Sequence, residues 1–172
     1  VSKYPIIPPG TKLSSAVLAS MLPDITWKVN NTDRATATMA DDPELKTTLE
    51  AGATYHVKFF LQFGATNTGR FRTAWTVPSG ASGLRSAIGP DQGVVLSGTS
   101  SGGQGRFGVH VYGTSCIYGT RGDPALLCVA IEESILSTSV AGTVAIQWAQ
   151  QTTDAAASRL GAGSYMEVRR LA

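Results

Sequence analysis

Residues 141–172 read AGTVAIQWAQQTTDAAASRLGAGSYMEVRRLA. Val144, Ile146 and Trp148 alternate with Thr143, Ala145, Gln147 and Ala149. That period of two predicts a strand with one large apolar face and one small or polar face. After a polar stretch, residues 155–160 and a Gly161-Ala162-Gly163 break, residues 164–171 again read as strand. A strand that closes a sheet needs partners earlier in the chain, so the upstream sequence is expected to build that sheet.

Composition agrees with a β-rich domain. Of 172 residues, 42% are hydrophobic and only 15% charged, below the roughly 25% usual for soluble domains. Low charge, 19 glycines and a mean hydropathy of +0.04 fit a β-sandwich or a protomer that hides surface in an oligomer. A chain this long buries most of its unfolded surface without disulfides or metal. The net charge of +2 comes from interspersed acids and bases, whereas nucleic acid calls for a clustered basic face. No apolar run reaches the roughly 18 residues of a membrane span, so no membrane insertion is expected. Cys116 and Cys128 lie in apolar or Gly-rich contexts and are expected as buried free thiols, with a disulfide between them as the alternative.

In order along the chain, residues 1–10 hold three of the eight prolines and read as an extended leader, since proline disfavours helix before it. Residues 11–22 predict a helix with Ser14 as N-cap, an apolar face of Val17, Leu18, Met21 and Leu22, and a stop at Pro23. Residues 25–29 and 34–39 predict strands, and 41–45 a loop. Residues 53–63, ATYHVKFFLQF, form the clearest strand: one parity is wholly apolar, the other polar except for Phe60. Residues 70–77 alternate again and are expected to pair with 53–63 as a hairpin. Residues 81–105 read as loop-rich, with a short strand at 93–96 and a flexible tip at 97–105. Phe107, Val109 and Val111 share one side of 106–112, and 126–132 is another strong strand. Roughly nine or ten strands and one helix predict an all-β antiparallel sandwich or jelly roll. The expected division is 1–24 as leader and helix, and 25–172 as the sandwich.

Site signatures are sparse. His56 and His110 lie on polar strand parities and read as surface or interface residues, with no zinc-ligand spacing. Residues 103–108 match G-x-G-x-x-G, but a strand follows where a dinucleotide fold needs a helix, so no cofactor is expected. Arg121-Gly122-Asp123 before Pro124 reads as a turn, and Asn30-Asn31-Thr32 as a formal sequon. Asp41, Asp42 and Glu44 read as a solvated acidic loop. No enzyme is expected.

Two stretches carry a resemblance. They are 31–45 (NTDRATATMADDPEL) followed by 49–55 (LEAGATY), and 142–150 (GTVAIQWAQ) with 162–165 (AGSY). Together they resemble the C-terminal domains of minor tail and tail-fibre-like proteins of bacteriophages infecting actinobacteria. The similarity spans most of 34–171 and is weakest across 79–105. It implies a virion structural protein without catalytic residues, a trimeric jelly-roll head (TNF/C1q-like) on a tail fibre or capsid. Expected partners are two further copies, other virion proteins through 1–24, and a host cell-surface glycan. In that trimer the small face of Thr143, Ala145, Gln147 and Ala149 is the expected subunit contact. The expected host-facing residues are Gln92, Ser100, Gln104, Tyr118, Arg121 and Asp123. The alternative is a capsid decoration or head-fibre protein. An enzyme acting on cell-wall sugar would require a carboxylate pair in a cleft.

Overall fold

The structure is a computed structural model and describes residues 5–93 and 105–172. Twelve strands and one short helix are defined among them. They are α1 (Ser15–Ala19), β1 (Asp24–Trp27), β2 (Thr32–Arg34), β3 (Ala40–Leu49), β4 (Thr54–Gly64), β5 (Phe71–Thr76), β6 (Arg85–Pro90), β7 (Gly105–His110), β8 (Cys116–Tyr118), β9 (Cys128–Ser137), β10 (Gly142–Gln150), β11 (Ser158–Leu160) and β12 (Tyr165–Arg170).

Every pairing is antiparallel. The larger sheet runs β1-β12-β4-β9-β6-β7, with β11 joining β2 to the end of β4, and the smaller runs β3-β10-β5-β8. Setting aside the β6–β7 hairpin and the short β2 and β11, eight strands remain. In chain order they form sheets 1-8-3-6 and 2-7-4-5, the double Greek key of a jelly roll. The chain passes between sheets at nearly every connection, so each sheet is completed only by distant segments.

Alternation explains the interior. On β4, Tyr55, Val57, Phe59, Leu61 and Phe63 point inward and are buried, and on β10 Val144, Ile146 and Trp148 do the same. Aromatic rings fill the interior: across the sheets Phe63 stacks on Phe71 at 4.5 Å and Phe59 meets Trp75 edge-on at 4.8 Å, and within the smaller sheet Phe71 stacks on Trp148 at 5.4 Å. Such pairs add about 0.5–1.5 kcal/mol each beyond area burial.

Two charge clusters lie within this packing. Glu132, on β9, is fully buried and accepts hydrogen bonds from Arg85, the Thr73 hydroxyl, the Trp75 indole (2.7 Å) and the Tyr118 hydroxyl (2.7 Å). Arg85 also donates to the Thr114 carbonyl. Burial first, then the neighbouring Glu132 carboxylate, pushes the Tyr118 hydroxyl well above its ordinary value. Gly89 shares the inner parity of β6 with Arg85 and Ala87, and a Cβ there would lie 2.8 Å from the Tyr118 ring. The second cluster centres on Lys28, whose Nζ reaches Asp42 at 3.0 Å, Glu44 at 2.8 Å and Thr32 at 2.9 Å. Trp148 Nε1 also donates to Asp42, at 3.1 Å.

Several expectations change here. Residues 41–45 are not a solvated loop. They belong to β3 at a register shift against β10, and Lys28 occupies the space between their carboxylates. The expected 53–63/70–77 hairpin does not form, because β4 lies in the larger sheet and β5 in the smaller. The strand expected at 34–39 is confined to Thr32–Arg34. The helix shrinks to five residues, with Ser14 accepting from the Val17 N–H as N-cap. Leu18, Met21 and Leu22 are exposed. Within 81–105 the structure adds β6, whereas most of the expected 93–96 strand and 97–105 tip lies outside the described residues. Cys116 and Cys128 are free and buried.

Glu132→Ala leaves Arg85 buried without its counter-charge and is expected to cost about 3–5 kcal/mol in urea unfolding. Arg85→Met with Glu132→Leu, which removes both charges, should cost less than Glu132→Ala alone. Three carboxyls sit below their usual values: Glu44 through its bond from Lys28, Asp33 through Arg159, and Asp154 through the Thr66 hydroxyl. Their stabilisation is complete above the unfolded-state values and is lost as pH falls through the lower folded ones. The thermal midpoint is therefore expected to hold from about pH 7 to 5 and to drop below about pH 4.

Candidate interaction surfaces

The outward parity of β4 runs Thr54, His56, Lys58, Phe60 and Gln62, so Phe60 breaks a polar series. Following its neighbours across the larger sheet explains the exception. Phe60 lies opposite Tyr165 on one side and Ile131 on the other. Tyr165 lies opposite Trp27, Ile131 opposite Ile88, and Ile88 opposite Phe107. Six consecutive strands thus carry Trp27, Tyr165, Phe60, Ile131, Ile88 and Phe107 in one lateral row on the outer face. Phe60 and Tyr165 stack at 5.2 Å. Phe107 is 78% exposed and Trp27 62%. At about 4.8 Å per strand the row is roughly 24 Å long.

The adjoining row is Ile25, Glu167, Lys58, Glu133, Ser86 and Val109, alternating in charge at its centre. His56 Nε2 faces Glu133 at 3.5 Å. A depression of about 320 Å³ opens here, lined by His56, Leu84, Ser86, Val109, Glu133, Ser134 and Ile135. Leu84, Val109 and Ile135 are all more than half exposed. A contiguous outward patch of this kind is the ordinary signature of an interaction surface.

The smaller sheet presents a different outer face. Thr143 is exposed, and Gln147 is half-buried with its amide donating to Thr76 at 2.7 Å. Ala145 and Ala149 are fully buried within the protomer, which removes them from the expected subunit contact. Ala145 lies between Lys46 and Thr76, whose longer side chains overtop it. Ala149 neighbours Arg72, which reaches across to the Ala37 carbonyl, and the Gln150 N–H holds Thr36 in place at 2.9 Å.

The expected host-facing residues also separate. Tyr118 is fully buried against Glu132 and faces no host. Arg121 is half-buried, and Asp123 is exposed with its carboxylate accepting from the Ala125 N–H at 2.8 Å. Ser100 and Gln104 lie outside the described residues. Gln92 is exposed and lines a second depression, about 310 Å³, with Arg70, Gly93, Ile117 and Gln151. Arg70 holds φ +48°, a left-handed backbone unusual for a residue with a Cβ. Among the described residues its Nη1 and the Gln151 Oε1 are buried without hydrogen-bond partners. Sequence reasoning did not single out Arg70 or Gln151, because neither a left-handed φ nor an unpaired atom leaves a compositional trace. Among the described residues no three His, Cys, Asp or Glu side chains gather as a metal site.

No protein-family model matches the chain, and no curated protein matches it. Among solved structures, the chain is similar to one in the tripod (BppUct-A-L) from the baseplate of bacteriophage Tuc2009. Identity is 11% and the TM-score 0.36, over 99% of this chain and 75% of that one. A chain of the infectious bursal disease virus VP2 subviral particle gives 10% identity and a TM-score of 0.19, over 98% of this chain and 45% of that one. Scores this low carry no functional argument.

Left-handed backbone at a non-glycine residue costs about 1–2 kcal/mol. Arg70→Gly is expected to leave stability unchanged or raise it by about 1 kcal/mol. A destabilised variant in chemical unfolding would show that the Arg70 side chain holds the fold.

Proposed function

We propose that this chain is a non-enzymatic structural protein of a bacteriophage particle. In this reading it is a homotrimeric tail-fibre or minor-tail head that recognises a host-surface glycan. The observation that carries the reading is the apolar row across the larger sheet, a contiguous exposed patch of the kind interaction surfaces carry. The sequence resemblance in 31–55 and 142–165 supplies the virion context and the number three. Exposed Ile6, Leu13, Leu18, Met21 and Leu22 suit a leader seated against neighbouring virion proteins. That leader equally suits the second reading, a capsid decoration or head-fibre protein.

For glycan contact, the Gln92 depression is the place where polar groups without partners among the described residues meet an opening. An Arg donor and a Gln acceptor in one wall suit hydroxyls, which both donate and accept. A buried polar atom left unpaired costs about 1–3 kcal/mol, and a ligand that drew these side chains outward would recover part of that.

Labelled protein is expected to run as a trimer by light scattering at micromolar concentration and to stain susceptible cells. A monomer overturns the trimer. Binding to empty capsids without staining cells replaces the tail-head reading with the decoration reading.

A further inference from the structure

We propose that the apolar row is the face on which a second copy of this chain packs, with Phe107 of one copy filling the depression between Leu84, Val109 and Ile135 of its neighbour. The proposal deepens the trimer reading and rests on it, while moving the subunit contact from the smaller sheet to the larger.

Three observations favour another copy over an unrelated partner. First, knob and hole occur on the same chain. Phe107 is the most exposed large hydrophobic residue among those described, and it stands on β7, the edge strand of the larger sheet. The hole, about 320 Å³ and roomy enough for a phenyl ring, is lined by the apolar Leu84, Val109 and Ile135 together with His56, Ser86, Glu133 and Ser134. Second, the charges beside the row alternate as Glu167, Lys58, Glu133. A sequence of alternating sign complements a copy of itself displaced by one strand, so that Lys58 of one copy meets a carboxylate of the next. Third, the size is right. Six strands wide and about six residues long, the face spans roughly 24 by 20 Å. That is about 480 Å² in projection, to which the relief of its protruding side chains adds, toward the ~800 Å² per partner of a standard interface.

A contact from an edge strand onto a neighbour's face joins two different patches. Such a contact closes into a ring when the rotation allows. The aromatic anchors at the row's ends, Trp27 and Phe107, are of the residue kind that dominates interface energetics.

The test uses cysteines in the whole chain. Within one copy, position 107 is in register with position 131, so 107 and 135 are separated by two strand spacings and four residues along the strand, roughly 16 Å, beyond the ~7 Å Cα separation that a disulfide spans. Phe107→Cys mixed with Ile135→Cys is therefore expected to cross-link only between copies under mild oxidation. A chain carrying both substitutions is expected to give a covalent ring of three on a non-reducing gel. Phe107→Glu should weaken association at least about tenfold, a change of ~1.4 kcal/mol, with the far-ultraviolet spectrum and the unfolding midpoint of the dilute protomer unchanged. A wild-type trimer that survives Phe107→Glu and gives no 107–135 cross-link overturns this inference and leaves the trimer reading standing. A wild-type monomer overturns both. A covalent ring of two supports the face and overturns the number three.

Discussion

A single carboxylate, Glu132, ties the two sheets together. It stands on β9 of the larger sheet, where Arg85 of β6 supplies its counter-charge. It also accepts from Thr73 and Trp75 of β5 and Tyr118 of β8, all in the smaller sheet. A charge without water tolerates few arrangements of its neighbours. Two sheets held only by greasy rings could slide by a residue at modest cost. With Glu132 between them, a slip would strand a carboxylate, a guanidinium and three donors at once. The aromatic stack of Phe63, Phe71 and Trp148 supplies cohesion, and the Glu132 cluster supplies the register in which the rings meet.

With the interior settled, the two outer faces diverge. The smaller sheet is roofed by its own chain: the 35–39 segment, held through Arg72 and Gln150, covers the end of β10. The larger sheet carries a partly exposed hydrophobic row that crosses its outer face from Trp27 to Phe107. The β6–β7 hairpin, inserted into the jelly roll between β5 and β8, widens only the larger sheet. In the proposed reading, assembly would use that face and recognition the separate Gln92 depression.

The strands were largely legible because burial on one face imposes a period of two. Residues 53–63 and 142–150 show it plainly, and the corresponding strands are Thr54–Gly64 and Gly142–Gln150. Acidic residues 41–45 read as loop, because aspartates and a proline are poor strand formers. The compensating partner, Lys28, stands fourteen residues earlier and forms no local pattern with them. Ala145 and Ala149 read as a docking face on parity alone, yet parity is silent about the Arg72 side chain and the 35–39 segment that cover it. Phe60 stood out as an exception whose meaning depended on five other strands.

The chain by itself determined that this protein is an all-β sandwich and that its interior is aromatic, because alternation and composition are local and survive any arrangement of the strands. Which strands share a sheet, which face is covered, and which apolar residues line up across six strands were decided only by the tertiary structure. Those properties depend on lateral register between residues as far apart as Trp27 and Tyr165, and a linear sequence carries no record of lateral register.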